Sequence, residues 1–358
     1  MTMVSPSPAR LKVLNYLPRN MHFGPRKATS IDLCVYEQSL RSAHEILVLC
    51  DEIDEPFDGL PVRMLKADGQ KGKMAQLQSI IAEYQPDLIV VQQHGPTAQK
   101  VAALFKTVPV LLHRHNFEIA EKLSWFRKWR HKRRYEALSG LVFVSDTCRD
   151  SFLALYPSLK TPVYTVHNGI DCTLWQAAEQ KNNEILFIGR IEPQKNALPA
   201  AKAMAQLLAR HSQWTGCLVG PFTGSPDYVG QVKKVVEDCE GLTLLDGLPH
   251  QAVKERLQKA RISLICSERE SFCLVATESF AAGAGVVSTA NGALPETVGS
   301  AGIFLQSTEV EDIVKGLEQM VGDYPHYVAL GYEQVQKFDL HKTVSVLDDV
   351  YRKTARKG

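Results

Sequence analysis

The sequence predicts an α/β fold of two domains, each a doubly wound parallel sheet with helices on both faces. Three observations carry this. At 358 residues the chain exceeds one ordinary domain and falls short of three. Short Leu-, Ile- and Val-rich runs recur without polar alternation, as strands buried on both faces require. Helical patterns separate most of those runs, and βα alternation of this kind closes into a parallel sheet.

Taken in order, Leu11–Leu17, Ile46–Cys50, Leu88–Val91, Val108–Leu112, Leu141–Val144 and Val163–Val166 read as strands. Lys73–Tyr84 and Thr97–Lys106 read as helices among them. The polar stretch Trp175–Asn183 interrupts the pattern and reads as a linker. Beyond it the alternation restarts, with strands at Glu184–Ile188, Gly216–Val219, Leu242–Leu245, Ile262–Ile265 and Val286–Ser288. Helices are expected at Asn196–His211, Tyr228–Asp238, Gln251–Lys259 and Thr308–Val321. Two Rossmann-like domains follow, 1–174 and 175–339, with a helix near 340–358 expected to return to the first.

Composition narrows the function. Hydrophobic residues make up 45% and charged residues 22%, the range of a globular protein and not of a fibre or a disordered chain. The longest apolar runs, such as Phe280–Val287, fall well short of the roughly 18 residues that a membrane span needs. With 41 basic and 39 acidic side chains the net charge is +2, which argues against a general nucleic-acid binder. The eight cysteines include no C-x-x-C pair, so no zinc ribbon or thioredoxin site is indicated. Their scatter suits a reducing cytosol, and no signal peptide is read at the N-terminus.

Ligands of such sheets sit beyond the carboxyl ends of the strands, so polar residues directly after a strand are the ones placed for function. In ILFIGRIEPQKN, Gly189 turns the chain at a strand end, and Arg190 and Lys195 follow. A guanidinium fork and an ammonium there can neutralise a diphosphate. In CSERESFCLVATESF, Glu270 follows a strand and Glu278 comes eight residues later. If those eight residues are helical, they rise about 12 Å and leave the two carboxylates within roughly 80° of each other. Such a pair can accept hydrogen bonds from both ends of an extended ligand. The amides of Phe272, Cys273 and Leu274 would open the helix, where an anion is favoured. Asn291–Glu296 follows another strand and would face the ligand from the opposite side.

In the first domain, LLHRHNFE sets His113 and His115 on one face of an extended segment. Without a third ligand at a recognisable spacing they do not read as a metal pair. His115, at the strand end and facing an interdomain cleft, is the catalytic candidate, with Asn116 beside it. Gly24, Pro25, Arg26 and Lys27 follow the first strand and offer acceptor or phosphate contacts. Glu121–Arg134 holds seven Lys/Arg and one Glu around Trp125, Phe126 and Trp129. On a helix these aromatics fall within about 100°. With Arg130 and its basic neighbours they suit a helix lying on anionic lipid. Packing of the aromatics against the sheet is the competing expectation.

Together these residues resemble glycosyltransferase family 4, the retaining sugar-nucleotide-dependent enzymes of GT-B fold. Gly189–Asn196 is similar to the family's G-R-x-x-x-x-K-N, and Glu270–Glu278 to its E-x-F-G-L-x-x-x-E. Asn291–Glu296 resembles its G-G-x-P-E loop, His115–Glu118 its H-N-x-E, Leu141–Asp146 its V-S-E/D strand end and His167–Asp171 its N-G-x-D. Cys273 and Ala293 stand where the family has glycine, which would restrict approach of the backbone to the donor. The resemblance implies two domains facing a central cleft, the second holding a nucleoside-diphosphate sugar and the first a glycan or lipid-linked acceptor. It assigns the diphosphate to Arg190 and Lys195, ribose to Glu278, sugar hydroxyls to Glu270 and the reacting carbon's neighbourhood to His115. It implies no metal and no further cofactor. The expected setting is bacterial surface polysaccharide or lipopolysaccharide synthesis in the cytoplasm, at the membrane surface and without nucleic acid. A GT-B-like sugar-nucleotide epimerase and a non-catalytic nucleotide-sugar-binding protein are the alternatives.

Overall fold

The structure, a computed structural model, describes residues 10–26, 28–53, 55–67, 69–118 and 124–356. Lys27 and residues 121–123 of the basic segment lie outside the described residues. The chain divides into two compact units, Met1–Gly169 with Leu340–Gly358, and Ile170–Asp339.

The first unit is built from β1 (Lys12–His22), α1 (Ser30–Arg41), β2 (Glu45–Glu52), β3 (Val62–Met64), α2 (Gly69–Tyr84), β4 (Leu88–Gln92), α3 (Gly95–Leu104), β5 (Val110–Arg114), α4 (Trp125–Tyr135), β6 (Gly140–Phe143), α5 (Asp146–Leu155) and β7 (Val163–Thr165). Its strands form one sheet in the order β3-β2-β1-β4-β5-β6-β7, every pairing parallel. All residues of β4, β5 and β6 are buried, which is why their sequences lack alternation. Ser145 caps α5 by accepting the Cys148 N–H at 3.1 Å.

The second unit comprises β8 (Asn182–Ile188), α6 (Ala197–Arg210), β9 (Thr215–Val219), α7 (Pro226–Glu237), β10 (Leu242–Leu245), α8 (His250–Lys259), β11 (Ala260–Ile265), α9 (Leu274–Ala281), β12 (Gly285–Ser288), α10 (Leu294–Val298), β13 (Gly302–Phe304) and α11 (Val310–Val335). The sheet runs β10-β9-β8-β11-β12-β13, again all parallel. Helix α11 extends well past the expected Val321. It breaks at Asp323, two residues before Pro325, whose ring removes a helix donor.

The stretch expected as a linker is packed onto the second unit. Trp175 is buried, edge-on to His250 with ring centroids 5.6 Å apart. Lys181 donates to the carbonyls of Ala260 and Ala282 at 2.7 and 2.6 Å, pinning the stretch to the ends of α8 and α9. The chain passes between units at Gly169–Ile170 and again at Asp339–Leu340.

The helix α12 (Leu340–Ala355) completes the first unit, burying Leu347, Val350 and Tyr351 in its core. Its buried Asp348 accepts from Ser42 Oγ at 2.6 Å and from the Ala43 amide at 2.8 Å. Those two bonds satisfy the turn after α1. Asp348→Ala leaves the Ala43 amide without its acceptor and should destabilise the first unit by roughly 1–3 kcal/mol. Urea unfolding with faster amide exchange across α12 checks this; an unchanged midpoint would count against the tie.

Candidate active site

In the second sheet the chain runs from β8 outward to β9 and β10, then returns to the other side of β8 as β11. Ligands of open α/β sheets bind at the carboxyl ends of the strands that flank such a reversal, here β8 and β11. The predicted donor residues leave from these two strand ends.

Gly189 and Arg190 follow β8, and a single 3-10 turn, Pro193–Lys195, brings Lys195 round. Lys195 Nζ is paired with Glu270 Oε1, and Ser267 Oγ donates to the same oxygen at 2.7 Å. Cation and carboxylate from adjacent strand ends are thus brought together, a pairing that the motifs do not themselves foretell. Two further bonds hold the loops in register. Asn196, in the left-handed region at φ 51°, donates from Nδ2 to the Cys266 carbonyl at 2.8 Å. The Glu268 amide donates to the Gln194 carbonyl at 2.9 Å. Arg190 pairs instead with Glu192, Nη2 to Oε1 at 2.9 Å, an acidic neighbour that sequence reasoning passed over.

Glu270 also forms a bridge with Gly292 in the loop after β12, and its carbonyl accepts the Ala293 amide at 2.8 Å. Gly292 has φ 64°, and a Cβ there would stand 2.3 Å from the Glu270 carbonyl oxygen, so only glycine fits. Ala293 has φ −88° and needs no glycine. The backbone at this position is thus one that any residue adopts.

The backbone at Cys273 is of the other kind. This residue is the N-cap of α9 at φ 81°, a strained conformation for any side chain with a Cβ. It makes no side-chain cap bond, so the first amides of α9 are left to other partners. The spacing estimate for Glu270 and Glu278 does not hold, because the helix begins only at Leu274 and Glu270 lies in the bridge. Phe272 is buried edge-on to Phe338, so its side chain serves the core. Glu278 meets His250 Nε2 at 3.4 Å, a partner with no signal in the sequence.

In the first sheet the reversal falls between β1 and β4. Gly24 follows β1, where a Cβ would lie 2.1 Å from the Glu55 carbonyl oxygen, and Arg26 is engaged at the surface with Glu55 at 3.1 Å. His115, just past β5, is buried, with Nε2 2.7 Å from Gln92 Oε1. Gln93 Oε1 accepts the amides of both His115 and Asn116, at 2.7 and 3.1 Å. Two glutamines at the end of β4, its last residue and the one after it, thus grip the histidine by ring and backbone. The strand-end rule applied to Gln92 and Gln93 would have found them. His113 stacks on His115 with centroids 4.5 Å apart, and both its ring nitrogens lack a hydrogen bond among the described residues. Among the described residues no third Cys, His, Asp or Glu joins the two histidines in a ligand group.

Helix α4 is anchored by buried Tyr135, whose hydroxyl donates to Glu118 at 3.0 Å. Its aromatics face solvent: Trp125, Phe126 and Trp129 are 79%, 57% and 44% exposed. Phe126 stacks on Trp129, and Arg133 lies 5.4 Å from the Trp129 ring centre. The competing expectation, aromatics packed on the sheet, is not realised.

A fold of two parallel Rossmann-like units with cations and carboxylates at a switch point defines a class, the GT-B glycosyltransferases. The comparisons agree. The model for glycosyl transferases group 1 matches residues 175–337, and that for glycosyltransferase family 4 matches 37–174. The chain belongs to the family 4 glycosyltransferases. It is 29% identical to the alpha-maltose-1-phosphate synthase of Mycolicibacterium smegmatis, over 56% of this chain and 58% of that one. It is 27% identical to the D-inositol 3-phosphate glycosyltransferase of Corynebacterium aurimucosum, over 58% and 52%. The chain thus spans little more than half the length of the curated relatives it matches. In fold it is similar to sucrose-phosphate synthase from Thermosynechococcus elongatus, with TM-score 0.78 and 16% identity over 98% of this chain and 100% of that one. Anabaena HepE in complex with UDP and glucose gives 0.77 at 16% identity, over 96% and 100%. Among the described residues, no helix is long and apolar enough to cross a membrane.

Two predictions follow from the strained cysteine and the buried histidine. Cys273→Gly should be more stable than Cys273→Ala by roughly 1 kcal/mol, since both lose the thiol and only alanine keeps a Cβ in the left-handed region. Equal melting temperatures would show that no strain resides there. Burial pushes the pKa of His113 down to about 4 from its ordinary 6.5. Between those values the unfolded chain binds a proton that the folded chain refuses. Stability should therefore be full above pH 6.5 and fall progressively toward pH 4, by up to roughly 3 kcal/mol from this ring. His113→Leu should flatten that part of the stability profile; an unaltered profile would assign the acid sensitivity elsewhere.

Proposed function

We propose that the chain is a retaining, metal-independent hexosyltransferase that takes its sugar from a nucleoside diphosphate. The observation that carries this is the meeting of Lys195, Glu270 and Ser267 beyond the carboxyl ends of the paired strands β8 and β11, with Arg190 on the β8 loop. As the bond from the anomeric carbon to the diphosphate breaks, negative charge grows on the leaving group. Arg190 and Lys195 would take it up, a term that is often the largest in such catalysis. Glu270 would accept from sugar hydroxyls, Glu278 from the ribose, and His115 would meet the sugar near the reacting carbon. The acceptor oxygen forms the new bond to the anomeric carbon, and its proton passes to the departing diphosphate.

A donor screen tests the reading, starting with UDP-sugars because HepE was crystallised with UDP and UDP-glucose. Arg190→Ala and Lys195→Ala should each lower turnover at least about 100-fold without unfolding the chain. EDTA should leave the wild type active. Near-normal turnover in either folded variant, or activity restored only by added magnesium or manganese, would overturn this assignment. Products formed from donor alone would favour an epimerase.

For the acceptor we favour a glycan or lipid-linked sugar of bacterial surface polysaccharide, handled in the cytoplasm at an anionic membrane. The exposed aromatics of α4 and their basic neighbours support this. Each basic side chain near such a surface adds about 1 kcal/mol, and the aromatics add apolar burial. In vesicle sedimentation the protein should bind anionic but not neutral lipid, less at high salt and less with Trp125→Ala and Trp129→Ala combined. Indifference to lipid charge would remove the membrane from the proposal.

A further inference from the structure

Beneath the first sheet's carboxyl edge a line of buried amides leads to His115. Asn15, on β1, donates from Nδ2 to Ser39 Oγ on α1 at 3.4 Å, which turns its carbonyl oxygen toward β4. Gln92 donates its own Nε2 to that oxygen at 2.7 Å. Its Oε1 is thereby left to face His115 Nε2, also at 2.7 Å. An amide oxygen can only accept, so the proton of this contact belongs to the ring. Asn15, Ser39, Gln92 and His115 are all buried, which makes each unmatched contact costly and the chain of bonds selective. Nδ1 of His115 makes no hydrogen bond with a described residue.

We propose that Gln92 is a positioning residue that holds His115 in its Nε2–H tautomer, so that Nδ1 offers a lone pair to a substrate hydroxyl. The ring would then act on its partner as a neutral acceptor. Burial, with His113 and Arg114 adjoining, keeps the ring uncharged well below its ordinary range. Gln93 complements this by fixing the backbone of His115 and Asn116, so neither ring nor main chain is free to turn. That a substrate meets Nδ1 rests on the function proposed above; the tautomer itself does not.

The arrangement also defines its own alternative. Reversing every amide in the line, with Ser39 donating to Asn15, would present Gln92 Nε2 to the ring and move the ring proton to Nδ1. Nitrogen NMR of the full-length protein labelled with 15N-histidine separates the two, the His115 signal being identified by its loss in His115→Ala. The expected spectrum is the neutral Nε2–H form. In Gln92→Met it should give way to a mixture containing Nδ1–H, with kcat down about tenfold and the donor KM changed little. Gln92→Glu keeps an acceptor against Nε2 and should keep that nitrogen protonated. An Nδ1–H ring in the wild type, or no change of tautomer in Gln92→Met, would overturn the proposal. If Gln92→Met does not fold, the wild-type and Gln92→Glu spectra still decide. Full turnover in His115→Ala would instead remove His115 from the reaction and leave the tautomer assignment standing.

Discussion

The reversal of strand order beside β8 is the constraint on which the second unit's chemistry depends. A parallel strand paired on both sides sends its loop out at the carboxyl edge with no neighbour crossing above it. Because β11 is the strand on the far side of that reversal, residues 75 positions apart, Lys195 and Glu270, come within contact. The bonds from Asn196 and Glu268 across the same gap make the approach a fixed feature of the two loops. The first unit repeats the device at β1 and β4, where the paired ends bring Asn15 against Gln92.

Much of this was legible because burial on both faces writes an unmistakable sequence. Runs such as Leu88–Val91 carry no polar interruption, and the strands appear where they were expected. The short edge strands β3 and β13 were not foreseen, being three residues each and only partly buried. The stretch 175–183 looked like a linker because it is polar, yet Trp175 and Lys181 attach it to the second unit through a ring contact and carbonyl bonds that composition does not register.

The site shows the same division. Arg190, Lys195 and Glu270 were singled out because they follow strand ends, where ligands of such sheets bind. Gln92 was missed because a glutamine is read as a surface residue until its partners are known. Its partners, Asn15 and His115, belong to other strands or loops. The departures Cys273 and Ala293 looked alike in sequence and differ only in φ, 81° against −88°. A missing glycine strains the backbone itself where the chain turns left-handed, as it does at Cys273 and not at Ala293.

The two crossings between units lie side by side. Ile170 bridges Asp339 and donates its amide to the Phe338 carbonyl at 2.8 Å, while a Cβ on Gly169 would come 2.7 Å from the Leu340 Cα. During synthesis this has a consequence for timing. The first unit's core needs Leu347, Val350 and Tyr351, which leave the ribosome only after all of residues 170–339. At about 5–20 residues per second the nascent first sheet waits on the order of 10–30 s without the part of its core that α12 supplies. The second unit meanwhile has every residue of its own core in hand. The later-synthesised unit is thus the first able to finish, and the interval exposes the earlier one to chaperones or to aggregation.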